Sequence, residues 1–199
     1  MTDVLGAPLP LPSPSPEMEA FLARRRSAPA QALGGPGPNT DELDRILNLG
    51  LRTPDHGKLS PWRLIVLSPR TRAELATKFR VLAERQPGPD KARAVLAKLT
   101  AAPVSILVVS SPVESLKVPQ WEQALSAGAV CMNLEHAAAA LGFSAAWITD
   151  WYSYDADATA LLGVREGEQI AGFVHIGSLA EPPLERPRPA LADKVERRP

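Results

Sequence analysis

The sequence predicts a layered fold in which a four-stranded sheet lies between helices, either doubly wound α/β or α+β. Three observations carry that expectation. A chain of 199 residues, 45% hydrophobic and 22% charged, has the composition of an ordinary globular domain. It is long enough to bury a real core and too short for two catalytic domains. Four short runs rich in β-branched and aromatic residues alternate with longer stretches of helical periodicity. Clusters of proline and glycine punctuate them.

In chain order, prolines at positions 8, 10, 12, 14 and 16 alternate with Leu and Ser, which favours an extended lead, so residues 1–16 are expected to be an arm outside the core. Residues 17–25 form a short helix with Met18, Phe21 and Leu22 on one face. After the break Gly34-Gly35-Pro36-Gly37-Pro38, Asn39 and Glu42 make a capping box for a helix whose stripe is Leu43, Ile46, Leu47 and Leu51. Residues 62–67 are a strand, and Thr71 with Glu74 is expected to cap a helix running to 85. Beyond Gln86-Pro87-Gly88-Pro89 a helix is expected over 90–99, then a buried strand over 104–109. The longest helix is expected over about 119–141. A strand over 145–149, a short helix over 157–162 and a strand over 170–176 follow. The chain turns proline-rich again after Gly177, which gives a folded domain over 17–189 and a tail over 190–199.

Several function classes are disfavoured. The 22 Lys and Arg balance the 22 Asp and Glu, so there is no electrostatic footprint for nucleic acid or an anionic membrane. Cys131 is the single cysteine and can form no intramolecular disulfide; it reads as a small buried apolar residue in a reducing compartment. The N-terminus lacks a basic region before an apolar run, and no window offers about 18 uncharged apolar residues. A cytoplasmic protein is expected, with neither a nucleic-acid nor a membrane partner. No G-x-G-x-x-G follows a strand and no G-K-[ST] occurs, which disfavours a nucleotide held by a glycine-rich turn. His56, His136 and His175 lie on separate elements, so no metal site is expected. G-x-S-x-G is absent too, and Asp55-His56 has no nucleophile to activate.

Three polar clusters remain: Arg24-Arg25-Arg26-Ser27 at the end of the first helix, Arg52 to Trp62 before the first strand, and Arg186-Pro187-Arg188-Pro189 in the tail. Each alone reads as a helix-end charge, turn chemistry or a solvated tail. In order, with Ser60-Pro61-Trp62-Arg63, Lys117-Val118-Pro119-Gln120-Trp121-Glu122-Gln123, Ser126-Ala127-Gly128, Gly142-Phe143 and Trp147-Ile148-Thr149, they resemble the nitroreductase family of FMN-dependent oxidoreductases, especially its minimal members. The resemblance spans residues 20–189.

The resemblance implies an α+β sandwich with a mixed central sheet flanked by helices, in an intertwined homodimer with two FMN sites at the interface. It also implies hydride transfer from NADH or NADPH through the flavin to a small electron-poor acceptor such as a nitroaromatic or quinone. The alternative is a flavin carrier or sensor on the same fold. By the same resemblance, Arg25, Arg26 and Ser27 bind FMN from one subunit, Arg52 and His56 from the other, and Trp147, Ile148 and Thr149 again from the first. A tail arginine, Arg188, joins the phosphate set. Ala137, Ala138, Ala139, Ala140, Leu141 and Gly142 match a segment linked to the nicotinamide cofactor. The chemistry agrees: a phosphate wants Arg and hydroxyl donors, and a flavin ring wants an apolar wall, which Pro54, Trp62 and Trp147 can furnish, and donors where charge accumulates on reduction. The family's minimal members carry Trp-Arg-Ser on the late strand, so Ile148 here replaces a positive group. No side chain is expected to be an obligatory acid or base. Trp121, His136, His175 and Cys131 are each expected to pack as core or interface residues, with the histidines hydrogen-bonded.

Overall fold

Capping and punctuation set the helices where short-range chemistry is strong. In the computed structural model, which describes residues 6–198, Ser15 caps α1 (Pro16–Arg24) by accepting from Met18 N at 3.2 Å, with Pro16 at the first helical position. The first five residues of the expected arm and the last of the tail lie outside the described residues. Residues 6–15 carry no helix or strand and are exposed. Asn39 and Glu42 form the expected capping box of α2 (Thr40–Gly50).

β1 (Trp62–Leu67) leads to α3 (Pro69–Ala83). Its cap is Ser68, not Thr71, because Ser68-Pro69 supplies both the cap and the preset first turn three residues earlier; Glu74 instead pairs with Arg70 one turn away. The single helix expected over 90–99 is two, α4 (Pro89–Ala94) and α5 (Ala97–Ala101). The Trp151 indole N–H takes the carbonyl of Ala92 at 3.0 Å, and Leu96 N turns to Arg93 O instead. β2 (Val104–Ser110), α6 (Gln120–Ala140), β3 (Ser144–Ile148), α7 (Ala156–Leu161) and β4 (Gln169–Gly177) complete the chain.

The sheet order is β1-β2-β4-β3. A mixed sheet is expected, but every pairing among the described residues is antiparallel. The α6 crossover brings β3 back in the same direction as β2, yet β4 inserts between them, so no parallel ladder forms.

Alternation along β2 feeds two cores. Leu107 and Val109 face a layer of α3, α5 and α7 with Phe79, Leu99 and Tyr152, while Ile106 and Val108 face α6 and α2 with Val130, Leu134 and Ile46. Gly50 lets α2 and α6 close together: a Cβ there would lie 2.5 Å from Leu134 Cδ2.

Candidate functional site

The Arg25–Ser27 segment leaves α1 and is fixed beside β3 by Ala28 N donating to Ala145 O at 2.8 Å. The arginine cluster is thereby placed against α6. Arg25 Nη2 donates to Glu135 Oε2 at 2.9 Å and to Ser27 Oγ at 3.1 Å. Glu135 is 6% exposed, and its other oxygen accepts the backbone N–H of Trp147 at 3.1 Å. One buried carboxylate therefore joins the basic segment to the late strand. The tail closes over the same place, with Arg26 Nε donating to Leu184 O at 3.1 Å and Arg188 Nη2 to Arg25 O at 3.2 Å.

Two clefts open here. The smaller, about 360 Å³, is lined by Arg24, Arg25, Arg26, Glu135, Phe143 and Pro183. The larger, about 750 Å³, is lined by Phe21, Leu49, Arg52, His136, Ala137 and Ala140 among others. Glu17, Phe21 and Ala139 line both. A cationic recess beside an apolar one suits a ligand with a phosphate at one end and a flat, largely apolar body at the other. His136 Nε2 is buried at the larger cleft without a partner, so the hydrogen bonding expected of this histidine is missing on that atom. Its ring meets Phe21 edge-on, with centroids 5.3 Å apart. Burial, and then the Arg25 charge, push its pKa below the ordinary imidazole value, so the ring is neutral at pH 7.

The other expected residues divide. Arg25, Arg26, Ser27 and Arg188 come together, and Arg52 shares the larger cleft with Ala137, Ala139 and Ala140. Ala138 is fully buried against the sheet, while Leu141 and Gly142 form the turn after α6. His56 lines neither cleft; it is exposed, and its Nδ1 lies 2.7 Å from Glu122 Oε2 at the start of α6. The Trp147 indole is a packing group in its own chain. It lies over Gly172, where a Cβ would collide with it, and donates to Ala171 O at 3.0 Å. Ile148 packs into the core, and Thr149 Oγ1 accepts from Tyr154 at 2.9 Å.

Trp121, expected to pack, is 71% exposed. Cys131 is fully buried, and burial with Glu135 nearby pushes its thiol up to about 12, so it stays protonated. His175 is buried too, but only its Nδ1 has a partner, Ser105 Oγ at 2.7 Å. Glu135 is the residue that sequence reasoning missed. Its available signal was a carboxylate inside the small, apolar run of α6.

The fold and this site define an α+β sandwich with an arginine-lined recess that shares Glu17, Phe21 and Ala139 with an apolar cleft. The chain belongs to the nitroreductase family, whose model matches residues 22–178. It is 35% identical over 160 residues to the Escherichia coli (strain K12) protein provisionally named NAD(P)H nitroreductase YdjA, covering 79% of this chain and 86% of that protein. Among solved structures it is similar to the nitroreductase-like family protein of Bacillus cereus, with TM-score 0.76, 20% identity and coverage of 96% and 98% of the two chains. It is also similar to a nitroreductase with bound FMN from Bacteroides fragilis NCTC 9343, with TM-score 0.71, 21% identity and coverage of 92% and 98%.

Proposed function

We propose that this chain is an FMN-dependent oxidoreductase of the nitroreductase type that uses NADH or NADPH to reduce a small electron-poor acceptor such as a nitroaromatic or quinone. The observation that carries the reading is the convergence of Arg24, Arg25 and Arg26 on one recess that shares Phe21 and Ala139 with an apolar cleft. The unpartnered His136 Nε2 fits a polar ligand edge entering that cleft. Membership of the family and the names of its relatives support the activity.

When bound, FMN would supply the two-electron redox chemistry that links a nicotinamide to the acceptor in a ping-pong order. The chain's own residues bind and orient. Arg25, Arg26, Ser27 and Arg188 hold the phosphate by charge-assisted hydrogen bonds. Arg52 faces the ring edge, where its charge opposes the negative charge that reduction creates. Trp147, Ile148 and Thr149, at the end of β3 and just past it, serve through backbone groups other than the Trp147 N–H, which Glu135 holds. Residues 137–142 border the nicotinamide.

The working unit in this reading is a homodimer in the cytoplasm, with His56 delivered from one protomer to the phosphate-binding segment of the other, while Arg52 lines the larger cleft of its own chain. His56 is exposed and off both clefts of its own chain, which supports that delivery. The test is the visible spectrum of the purified protein, then anaerobic addition of NADH or NADPH. A flavin spectrum that bleaches within the mixing experiment is expected. A colourless protein that FMN cannot reconstitute overturns the reading. A yellow protein that neither nicotinamide bleaches makes it a carrier or sensor.

A further inference from the structure

Resting on the reading of Arg25 as a phosphate ligand, we propose that Glu135 is a positioning residue that holds the Arg25 guanidinium in place and so gives the site its preference for a phosphorylated flavin over an unphosphorylated one. Glu135 sits on the buried side of α6 between Leu134 and His136, in a layer of Val130, Cys131, Ala137 and Ala138. A carboxylate in such a layer is costly unless both oxygens are engaged. Here they are, one by Arg25 Nη2 and the other by Trp147 N. The two partners belong to the two parts of the site that the chain must register, the basic segment after α1 and the late strand β3.

The donor arithmetic separates the roles. A guanidinium has five N–H donors in a rigid plane. Glu135 and Ser27 both take Nη2. With that corner pinned, the plane is set, and an anion entering the recess beside Arg24 and Arg26 meets a fork already oriented. Glu135 lines the recess, but a carboxylate offers a phosphate no donor, so any gain it brings to an anion runs through Arg25. A flavin without phosphate gains nothing from an oriented Arg25, so the effect of Glu135 is expected to be larger on FMN than on riboflavin, which loses only what freeing Trp147 N costs β3.

The test is fluorescence titration of the flavin-stripped full chain with FMN and with riboflavin, for wild type, Glu135→Ala, Arg25→Ala and the double variant. Glu135→Ala is expected to weaken FMN about tenfold, the size of a lost charge-assisted bond, with riboflavin held within about twofold. In the Arg25→Ala background the same change is expected to add less than about twofold, because Glu135 acts through Arg25. Equal weakening of both flavins gives Glu135 a merely structural role and overturns the proposal. Tighter FMN binding overturns it too, because Glu135 then acts as a competing anion. If Glu135→Ala does not fold, Glu135→Gln decides. Its amide puts an NH2 donor where one of the two accepting oxygens stood and carries no charge to pair with Arg25, so a fall in the FMN to riboflavin preference is expected and an unchanged preference overturns the proposal. A wild type that binds neither flavin sinks the functional reading itself, whereas wild-type FMN binding with preference unmoved in the variants sinks only this inference.

Discussion

The two faces of the sheet are built from equally apolar strand residues and yet end differently. On the α3 face, Phe79, Trp151, Tyr152 and Phe173 interlock with ring centroids 5.3 to 5.9 Å apart, and Phe79, Tyr152 and Phe173 are fully buried. Arg72, 1% exposed, closes its edge by donating to the carbonyls of Leu99, Ala102 and Pro103. On the α6 face the helix brings Ala127, Gly128, Ala137, Ala138 and Ala139, and α1 covers it only in part. Two clefts and a buried carboxylate remain there. Along β2 the two sides match, Leu107 and Val109 against Ile106 and Val108. The difference therefore comes from what packs on them: Phe79 of α3, Trp151 and Tyr152 after β3 and Phe173 of β4 on one side, and the small residues of α6 on the other. Large aromatic side chains fill the space over the α3 face, and small ones leave room for a ligand over the α6 face.

The comparison breaks most sharply at Phe79, fully buried among the rings of the α3 face. Phe79→Ala is expected to cost about 3–5 kcal/mol of unfolding free energy in urea titration. FMN binding per folded molecule should stay as in wild type. A loss of binding in the folded fraction would show that the two faces are not independent.

Arg25→Ala reverses the pattern. It is expected to cost about 1.5–3 kcal/mol of FMN affinity by equilibrium titration, while leaving the aromatic face intact by near-ultraviolet circular dichroism. An unchanged FMN affinity would remove Arg25 from the phosphate set.

A third measurement separates the ends of the sheet by pH. Glu168 is bound by Arg63 at 2.8 and 2.6 Å, and Ser111 and Arg165 N also donate to it. Chiefly the Arg63 hydrogen bonds hold its carboxyl down at about 2, against an ordinary 4.5. The folded state thus favours the ionised form. The resulting stability is complete above about pH 4.5 and is lost as pH falls toward about 2. Glu168→Gln is expected to be less stable at pH 7 and to show a flatter stability profile across that window in acid titration followed by circular dichroism. An acid limb as steep as that of wild type would show that other carboxylates carry it.

The smallest effect is expected at Trp121, on the outer side of α6. Trp121→Ser should change the unfolding free energy of a dilute sample by no more than about 0.5 kcal/mol, because the indole is mostly in water in its own chain. A larger loss would mean that its surroundings in solution differ from those described.

How much was legible in the sequence follows the range of the forces involved. Asn39 with Glu42, the proline and glycine break before them and the apolar run over 104–109 are local patterns, and the elements they announce stand where expected. The cap of α3 slipped to Ser68 because two overlapping local signals competed and the earlier one also had a proline. The split of the helix over 90–99 could not be read locally, since its cause is the Trp151 indole, about sixty residues away. The arginine cluster and its order along the chain were readable, and with them the family.

The sequence by itself determined which residues could form helices and strands, the charge balance, and the family to which the chain belongs. Only the tertiary structure decided that the pairings are antiparallel, that Trp121 faces water, and that Glu135 joins Arg25 to β3. A pattern of three or four residues records what the backbone does within a turn, where capping and periodicity act. Strand order and the partner of a buried carboxylate depend on groups brought together by packing from positions more than a hundred residues apart, and no local pattern carries that information.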